Sequence, residues 1–470
     1  MLFNSFEFIL FFPFVYLLHW YVFSKTKVHQ NTILILASYI FYGWWSIYFL
    51  GLLIFGTIID YLIAFKIAST NSKNSKRFLT LGILLNIIVL IFFKYNDFFL
   101  SDLIARLKVL GIDFELLKII VPVGISFYTF HGMSYLFDVY RKKQIVEKSF
   151  LNYALFVSYF PLLVAGPIER AHHLLPQLQL KRNFSYTQSV QGLQLIVVGF
   201  FKKIVISDCI AYYVNPTFEN SSHYTALSLL ITAIGFSFQI YADFSGYSDI
   251  ARGISKLLGI ELLQNFNLPY FSKNIQEFWK RWHISLTSWF KDYLYIPLGG
   301  NREGKIKTIR NIAIIFLVSA FWHGAKTTFL VWGIIHAIFY LIEYLTFNQK
   351  KNNVTVYDSK IKPFLSSIIT FTIVTIAWVF FRSESIEKAL LYFTQIALST
   401  YEDPENYFKL PTNYEILYFV AVSLIVENLF RKNQSTYDHR RFFWIAMIIT
   451  NLTIFYFLTN EKSSFIYFQF

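Results

Sequence analysis

His336 stands near the middle of an apolar run from Thr327 to Thr346. A titratable group at that depth in a bilayer is costly and is usually kept for function. Desolvation disfavours a charged imidazole, so a histidine in such a setting is neutral and able to take a proton. A lone base in a site that excludes water suits attack by a hydroxyl on an activated acyl donor such as a thioester. His323 comes thirteen residues earlier, a separation of about 20 Å in an unbroken helix. The break at Gly324, Ala325 and Lys326 can fold the two toward one cavity. Glu343, seven residues beyond His336 on the same helical face, sits nearer the membrane surface. The competing account of both histidines is a buried, hydrogen-bonded pair that only packs, with Trp322 and Trp332 as packing neighbours.

These residues need a platform, and the stretch from Lys273 to Leu345 supplies one. Its first part sets Ile275, Phe278, Trp282, Leu286, Trp289 and Tyr293 at spacings of three or four. That pattern predicts one amphipathic helix lying in the membrane interface. The cations Lys280, Arg281, Lys291, Arg302, Lys305 and Lys307 either hold the phosphates of a nucleotide-containing donor or grip anionic lipid. The later part of the stretch crosses the membrane and carries His336 into it.

Hydrophobic residues make up 55% of the 470 and charged residues 15%, with a mean hydropathy of +0.46. This composition places the chain among polytopic membrane proteins and excludes a soluble domain. At about 20 apolar residues per crossing, roughly eleven to thirteen segments qualify, re-entrant and interfacial ones included. The net charge of +14 is concentrated in short gaps between apolar runs. It therefore reads as topology under the positive-inside rule, and no nucleic acid is expected. Cys209 is the only cysteine and reads as a packing residue. The first apolar stretch lacks the basic start and cleavage site of a signal peptide, so it reads as a retained span.

Lys25, Lys27 and His29 after the first span, and Lys66, Lys73, Lys76 and Arg77 after the third, place both gaps in the cytosol and the N-terminus outside. Asp60, in the third span, reads as a solvated position near its end. VPVGISFYTFHGMSYLFDVY puts His131 and Asp138 on one face, where they line a cavity or make interhelical hydrogen bonds. Gly166-Pro167 breaks the next apolar segment into a re-entrant turn with Glu169, Arg170, His172 and His173 at its polar mouth. The adjacent histidines point apart and no ligand set accompanies them, so no metal is expected. Gln239, Asp243, Ser245 and Asp249 stand where apolar residues belong, so that segment must face protein or water. The absence of an internal repeat counts against a transporter of paired halves. A purely structural subunit has no need of a midspan histidine.

FWKRWHISLTSWFKDYLYIPLGGN, followed by FWHGAKTTFLVWGIIHAIFY, resembles the membrane-bound O-acyltransferase family in its bacterial branch of alginate and peptidoglycan O-acetyltransferase-like proteins. VPVGISFYTFHGMSYLFDVY, LVAGPIER and YADFSGYSDIARG match the same branch, so the resemblance covers essentially the whole chain. It implies an all-α polytopic fold and a single membrane domain over residues 1–470. Within it, peripheral spans reach residue 115, a catalytic core runs over 116–382, and C-terminal spans and a tail occupy 383–470. By the resemblance His336 is the catalytic histidine and His323 the second motif histidine. Lys280, Arg281, His283, Asp292, Asn301 and Asp243 are the supporting cavity or donor-side residues.

The donor implied is cytosolic acetyl-CoA, with no permanently bound cofactor. The resemblance further implies that the acetyl group crosses a bacterial cytoplasmic membrane to an extracytoplasmic transferase-like or esterase-like partner protein, which esterifies a polysaccharide. The teichoic-acid D-alanylation branch is the near alternative. It looks different where this chain has Tyr295-Ile296-Pro297-Leu298-Gly299-Gly300-Asn301. The small partner of that branch ends in a Phe-x-Tyr-Phe motif, and Phe465-Ile466-Tyr467-Phe468 stands in this chain's own tail, on the side assigned as outside. Tyr467 is then either an acyl relay through a phenolic ester or an interfacial anchor. The scheme requires His336 to be reachable by a thioester from the cytosol and by an alcohol from outside.

Overall fold

A computed structural model describes residues 1–109, 120–350, 361–398 and 413–431. Among the described residues all regular structure is helical. Six helices there are long and apolar enough to cross a membrane: Ile47–Ser69, Ser72–Tyr95, Ala226–Leu257, Lys305–His323, Thr327–Thr346 and Pro363–Arg382. The chain divides into two compact units, Met1–Ile196 with Ile250–Leu263, and Val197–Asp249 with Gln264–Phe470.

The first unit begins with α1 (Phe6–Leu17), where the Ser5 hydroxyl accepts the Phe8 amide at 3.3 Å and so caps an otherwise orphaned donor. It continues through α2 (Lys27–Gly43), α3 (Ile47–Ser69), α4 (Ser72–Val109), α5 (Ile125–Tyr140) and α6 (Phe150–Ser158). Then come α7 (Phe160–Ala165), α8 (Ala171–Leu178) and α9 (Tyr186–Phe200), which runs on into the second unit. The solvated Asp60 expected from the sequence is overturned, because this residue is only 5% exposed. Asn86 Nδ2 of α4 donates to its Oδ1 at 2.9 Å. From α5, Gly132 comes so close that a Cβ there would stand 2.1 Å from Asp60 Oδ2. Side-chain amide and a bare backbone replace the water that a carboxylate otherwise needs.

The break at Gly166-Pro167 is present, between α7 and α8, but the residues beyond it form no open mouth. Glu169 is fully buried. Its Oε1 accepts the Leu263 amide at 2.6 Å, its Oε2 pairs with His173 Nδ1 at 2.7 Å, and its own amide donates to His131 Nε2 at 3.0 Å. Only His172 faces outward, 3.8 Å from the buried Asp138. His131 thus belongs to a hydrogen-bonded junction, which favours the interhelical reading of the His131 and Asp138 face.

The second unit contains α10 (Cys209–Glu219) and most of α11 (Ala226–Leu257). It also holds α12 (Ile275–Arg281), α13 (Ile284–Phe290), α14 (Lys305–His323), α15 (Thr327–Lys350), α16 (Ile361–Arg382), α17 (Ile386–Leu398) and α18 (Glu415–Arg431). The apolar window of α11 is 83% buried, against 44% or less for the windows of α14, α15 and α16. Its polar residues therefore need protein partners, and they have them. Lys203, in a π-helical stretch before α10, places its ammonium 2.7 Å from both Asp208 and Asp243, and Lys202 pairs with Asp249 at 2.7 Å. The bare Cα of Gly246 permits this approach, since a Cβ there would lie 2.7 Å from the Gly199 carbonyl.

The single amphipathic helix expected over residues 275–293 is broken in two. Trp282 turns extended and His283 takes a left-handed φ of 43° between α12 and α13. The segment that crosses beneath the break holds it open. Asn267 N–H donates to Arg281 O at 2.9 Å, and Ile284 N–H to Asn265 O at 2.9 Å. Asn265 Oδ1 also pairs with His283 Nδ1 at 3.0 Å and accepts Ser285 Oγ–H at 2.9 Å. The apolar positions behave as the spacing predicts, for Ile275, Phe278, Trp282, Leu286, Trp289 and Tyr293 are all buried.

Candidate active site

α14 and α15 form a tight hairpin because Gly333 presents bare backbone, where a Cβ would sit 2.9 Å from Phe316 O and 3.0 Å from Ala320 Cβ. One turn of α15 later the hairpin carries His336 at 0% exposure. Trp279 of α12 meets the imidazole edge-on at 5.0 Å between ring centroids, and Trp332 does so at 5.2 Å. Phe278 and Phe316 lie nearly parallel to it at 6.0 and 6.3 Å, and Trp378 of α16 closes the cage at 6.4 Å. Among the described residues neither ring nitrogen of His336 meets a hydrogen-bond partner, and neither do the indole N–H groups of Trp279, Trp332 and Trp378. Buried polar groups are nearly always paired, so an imidazole with both nitrogens unpaired among three unpaired indoles needs a reason.

α12 is fastened to the histidine helix by Glu343. Its Oε1 accepts the Ile275 amide at 2.7 Å and its Oε2 the Gln276 amide at 3.0 Å, so one carboxylate caps two donors of the α12 N-terminus. Glu343 thereby holds Trp279 against His336 and takes no place beside the imidazole itself.

A cavity of about 350 Å³ runs beside this cage, bounded by α12, α13, α14 and the foot of α15. Lys280 and Lys291 stand exposed at its edge. Gln276, Thr287, Ser319 and Tyr340 give its wall a few polar groups among apolar ones. Trp279 and Phe316 belong to both the cavity wall and the His336 cage, so the cavity stops one ring short of the imidazole. The open approach to His336 expected from the sequence is thus closed in this conformation, because aromatic rings brought together by Gly333 and Glu343 fill the gap.

His323, at the end of α14, packs against Trp332 at 5.0 Å, with Phe381 also at 5.0 Å. The two histidines share the Trp332 ring as a neighbour. His283 is 1% exposed in the break between α12 and α13, edge-on to Phe244 at 4.7 Å, and burial pushes its pKa down to about 3. Of the other supporting residues, Lys280 alone lines the cavity. Arg281 is paired with Glu277 at 2.6 Å, and Asp292 is half-buried in the π-helical turn that follows α13. Asn301 is exposed in a turn whose Gly299 and Gly300 take φ of 100° and 58°. Asp243 serves the Lys203 ion pair, and Tyr467 lies outside the described residues. Trp279, Phe316 and Tyr340 were missed by spacing arguments, since a wall aromatic and a core aromatic look alike in sequence.

A desolvated imidazole beside a cavity with a cationic rim, set among membrane-crossing helices, is the arrangement a membrane acyltransferase needs. The chain belongs to the membrane-bound O-acyltransferase family, whose description matches residues 69–383. It is 34% identical to the peptidoglycan O-acetyltransferase of Helicobacter pylori, over 95% of this chain and 93% of that protein. A probable alginate O-acetylase of Azotobacter vinelandii is 38% identical over 77% of this chain and 71% of its own. The teichoic acid D-alanyltransferase of Bacillus subtilis is 30% identical over 56% of this chain and 69% of its own.

Proposed function

We propose that this enzyme takes an acetyl group from cytosolic acetyl-CoA and delivers it for O-acetylation of a polysaccharide beyond the cytoplasmic membrane. The observation that carries this reading is the set of unpaired imidazole and indole groups at the closed end of the cavity, which a thioester carbonyl and an attacking hydroxyl would satisfy. Cavities that hold small molecules run from roughly 300 to 1,000 Å³, so about 350 Å³ suits a short acyl group with part of its carrier arm. Lys280 and Lys291 are then at the right edge to meet the phosphates left outside.

In the reaction, a ring nitrogen of His336 accepts the proton of the acceptor hydroxyl as its oxygen attacks the thioester carbon. The carbon–sulfur bond breaks, and the leaving thiolate recovers that proton from the imidazolium. The products are an acetyl ester and a free thiol. One relative is named for O-acetylation of peptidoglycan and one, as probable, for that of alginate, which supports a polysaccharide as the final acceptor. An extracytoplasmic transferase-like or esterase-like partner completes the delivery.

Purified full-length protein in lipid nanodiscs, given acetyl-CoA with a labelled acetyl group, tests this directly. Thiol release and label transfer are expected from the wild type, with a fall of at least about 100-fold for His336→Ala. Label that remains on CoA in every condition, or His336→Ala working as well as wild type, rejects the reading. D-alanyl thioester turned over in preference to acetyl-CoA would move the enzyme to the teichoic-acid branch.

A further inference from the structure

The cage that closes over His336 has a consequence for which acyl groups the enzyme accepts. The cavity follows α14 from Ile312 to Ser319, two turns or about 10 Å. At the imidazole it meets Trp279 and Phe316. A carbonyl carried along the cavity reaches His336 only by passing between these two rings. The other rings of the cage, Phe278, Trp332 and Trp378, are each at most 1% exposed, and Trp332 and Trp378 stack on each other at 5.9 Å. Close-packed rings leave no slot for a chain that continues past the acetyl methyl.

Phe316 cannot make room by a small shift of its helix, because its own carbonyl is the atom against which Gly333 packs. Tyr340 packs against its ring at 5.6 Å. We infer that Trp279 and Phe316 set the acyl length, admitting a two-carbon group to His336 and rejecting longer ones. The inference rests on the reading that the cavity delivers a thioester to His336, and it adds what that reading leaves open, the specificity of the donor site. One methylene in an apolar pocket is commonly worth about 10–200-fold in specificity.

The test uses full-length protein in nanodiscs with acetyl-, propionyl-, butyryl- and hexanoyl-CoA, following release of free thiol. For the wild type, kcat/KM is expected to fall at least about 10-fold from acetyl to butyryl. In Phe316→Ala the butyryl-to-acetyl ratio rises by about 10-fold or more, with the gain in kcat because the obstruction lies at the reacting atom. Ile315→Ala enlarges the same cavity one residue away from that wall and leaves the ratio unmoved. If Phe316→Ala does not fold, Phe316→Leu, which keeps most of the volume, shows the same direction with propionyl-CoA.

Acetyl-CoA turned over by wild type with butyryl-CoA equally good, or a ratio unchanged in the Phe316 variants, overturns the length gate and leaves the acyltransferase reading standing. Thiol released from no donor at all overturns both.

Discussion

A buried cation shows at residue scale what the sequence half revealed. Lys203 is 1% exposed and serves Asp243, itself 1% exposed, together with Asp208. Removing one partner of a buried pair leaves an uncompensated charge, at a cost of about 3–5 kcal/mol. Lys203→Met is therefore expected to lower the melting temperature in detergent sharply, and adding Asp243→Leu to recover part of the loss. Equal melting of single and double variants would mean that the pair carries no such energy. The sequence announced that α11 carboxylates must face protein, because hydrocarbon forbids the alternative. It did not announce their partner, which lies in a π-helical turn that no periodicity marks. His173 gives a pH signature outside the spans. The hydrogen bond it donates to the Glu169 carboxylate raises its pKa, so its stabilisation is complete below the unfolded value of about 6.5 and is lost as pH climbs through the raised one. His173→Gln should remove that slope from stability measured between pH 5 and 8, and a slope of the same size in the variant would assign it elsewhere.

Between elements, the candidate active site depends on two contacts that hold α12, α14 and α15 in register. Gly333→Ala puts a Cβ 2.9 Å from the Phe316 carbonyl. Overpacking of this kind costs about 1–3 kcal/mol, and here it also pushes the Phe316 ring relative to His336. Glu343→Gln keeps one acceptor for the α12 amides and loses the other with its charge, a cost of about 1 kcal/mol at a half-exposed position. Both variants are expected to lose activity by more than their loss of stability explains, read as kcat at a temperature where each stays folded. Activity that tracks the folded fraction alone would reduce these contacts to scaffolding. The membrane class, the hairpin around Gly324 and the buried face of residues 275–293 were all legible, because hydropathy and spacing are local properties of the chain. The break at His283 was not legible. It is imposed by Asn265 and Asn267, some 16 to 18 residues away, and apolar spacing continues across it unchanged. Glu343 was visible as a neighbour of His336 on one face, yet its work as a cap depends on where another helix begins.

For the molecule as a whole, the distribution of charge predicts an orientation that a chemical experiment can read. Cys209 is the chain's only cysteine and is buried, its thiol directed to the Ile204 carbonyl at 3.5 Å. Cysteines introduced on a Cys209→Ser background therefore report their own position. Ser222 lies exposed in the short turn before α11, and the stretch from Ala211 through the end of α10 to Thr225 contains no Lys or Arg. Asn301 lies exposed in the turn before α14, beside Arg302, Lys305 and Lys307. The positive-inside rule assigns Asn301 to the cytosol and Ser222 to the outer side, and α11 between them has the length to cross. In intact cells a membrane-impermeant maleimide is expected to label Ser222→Cys and to spare Asn301→Cys until the cells are opened. The cavity edge marked by Lys280 and Lys291 adjoins the Asn301 turn in chain and in charge. Labelling in the opposite order would therefore turn the proposed donor mouth away from the compartment that makes acyl thioesters.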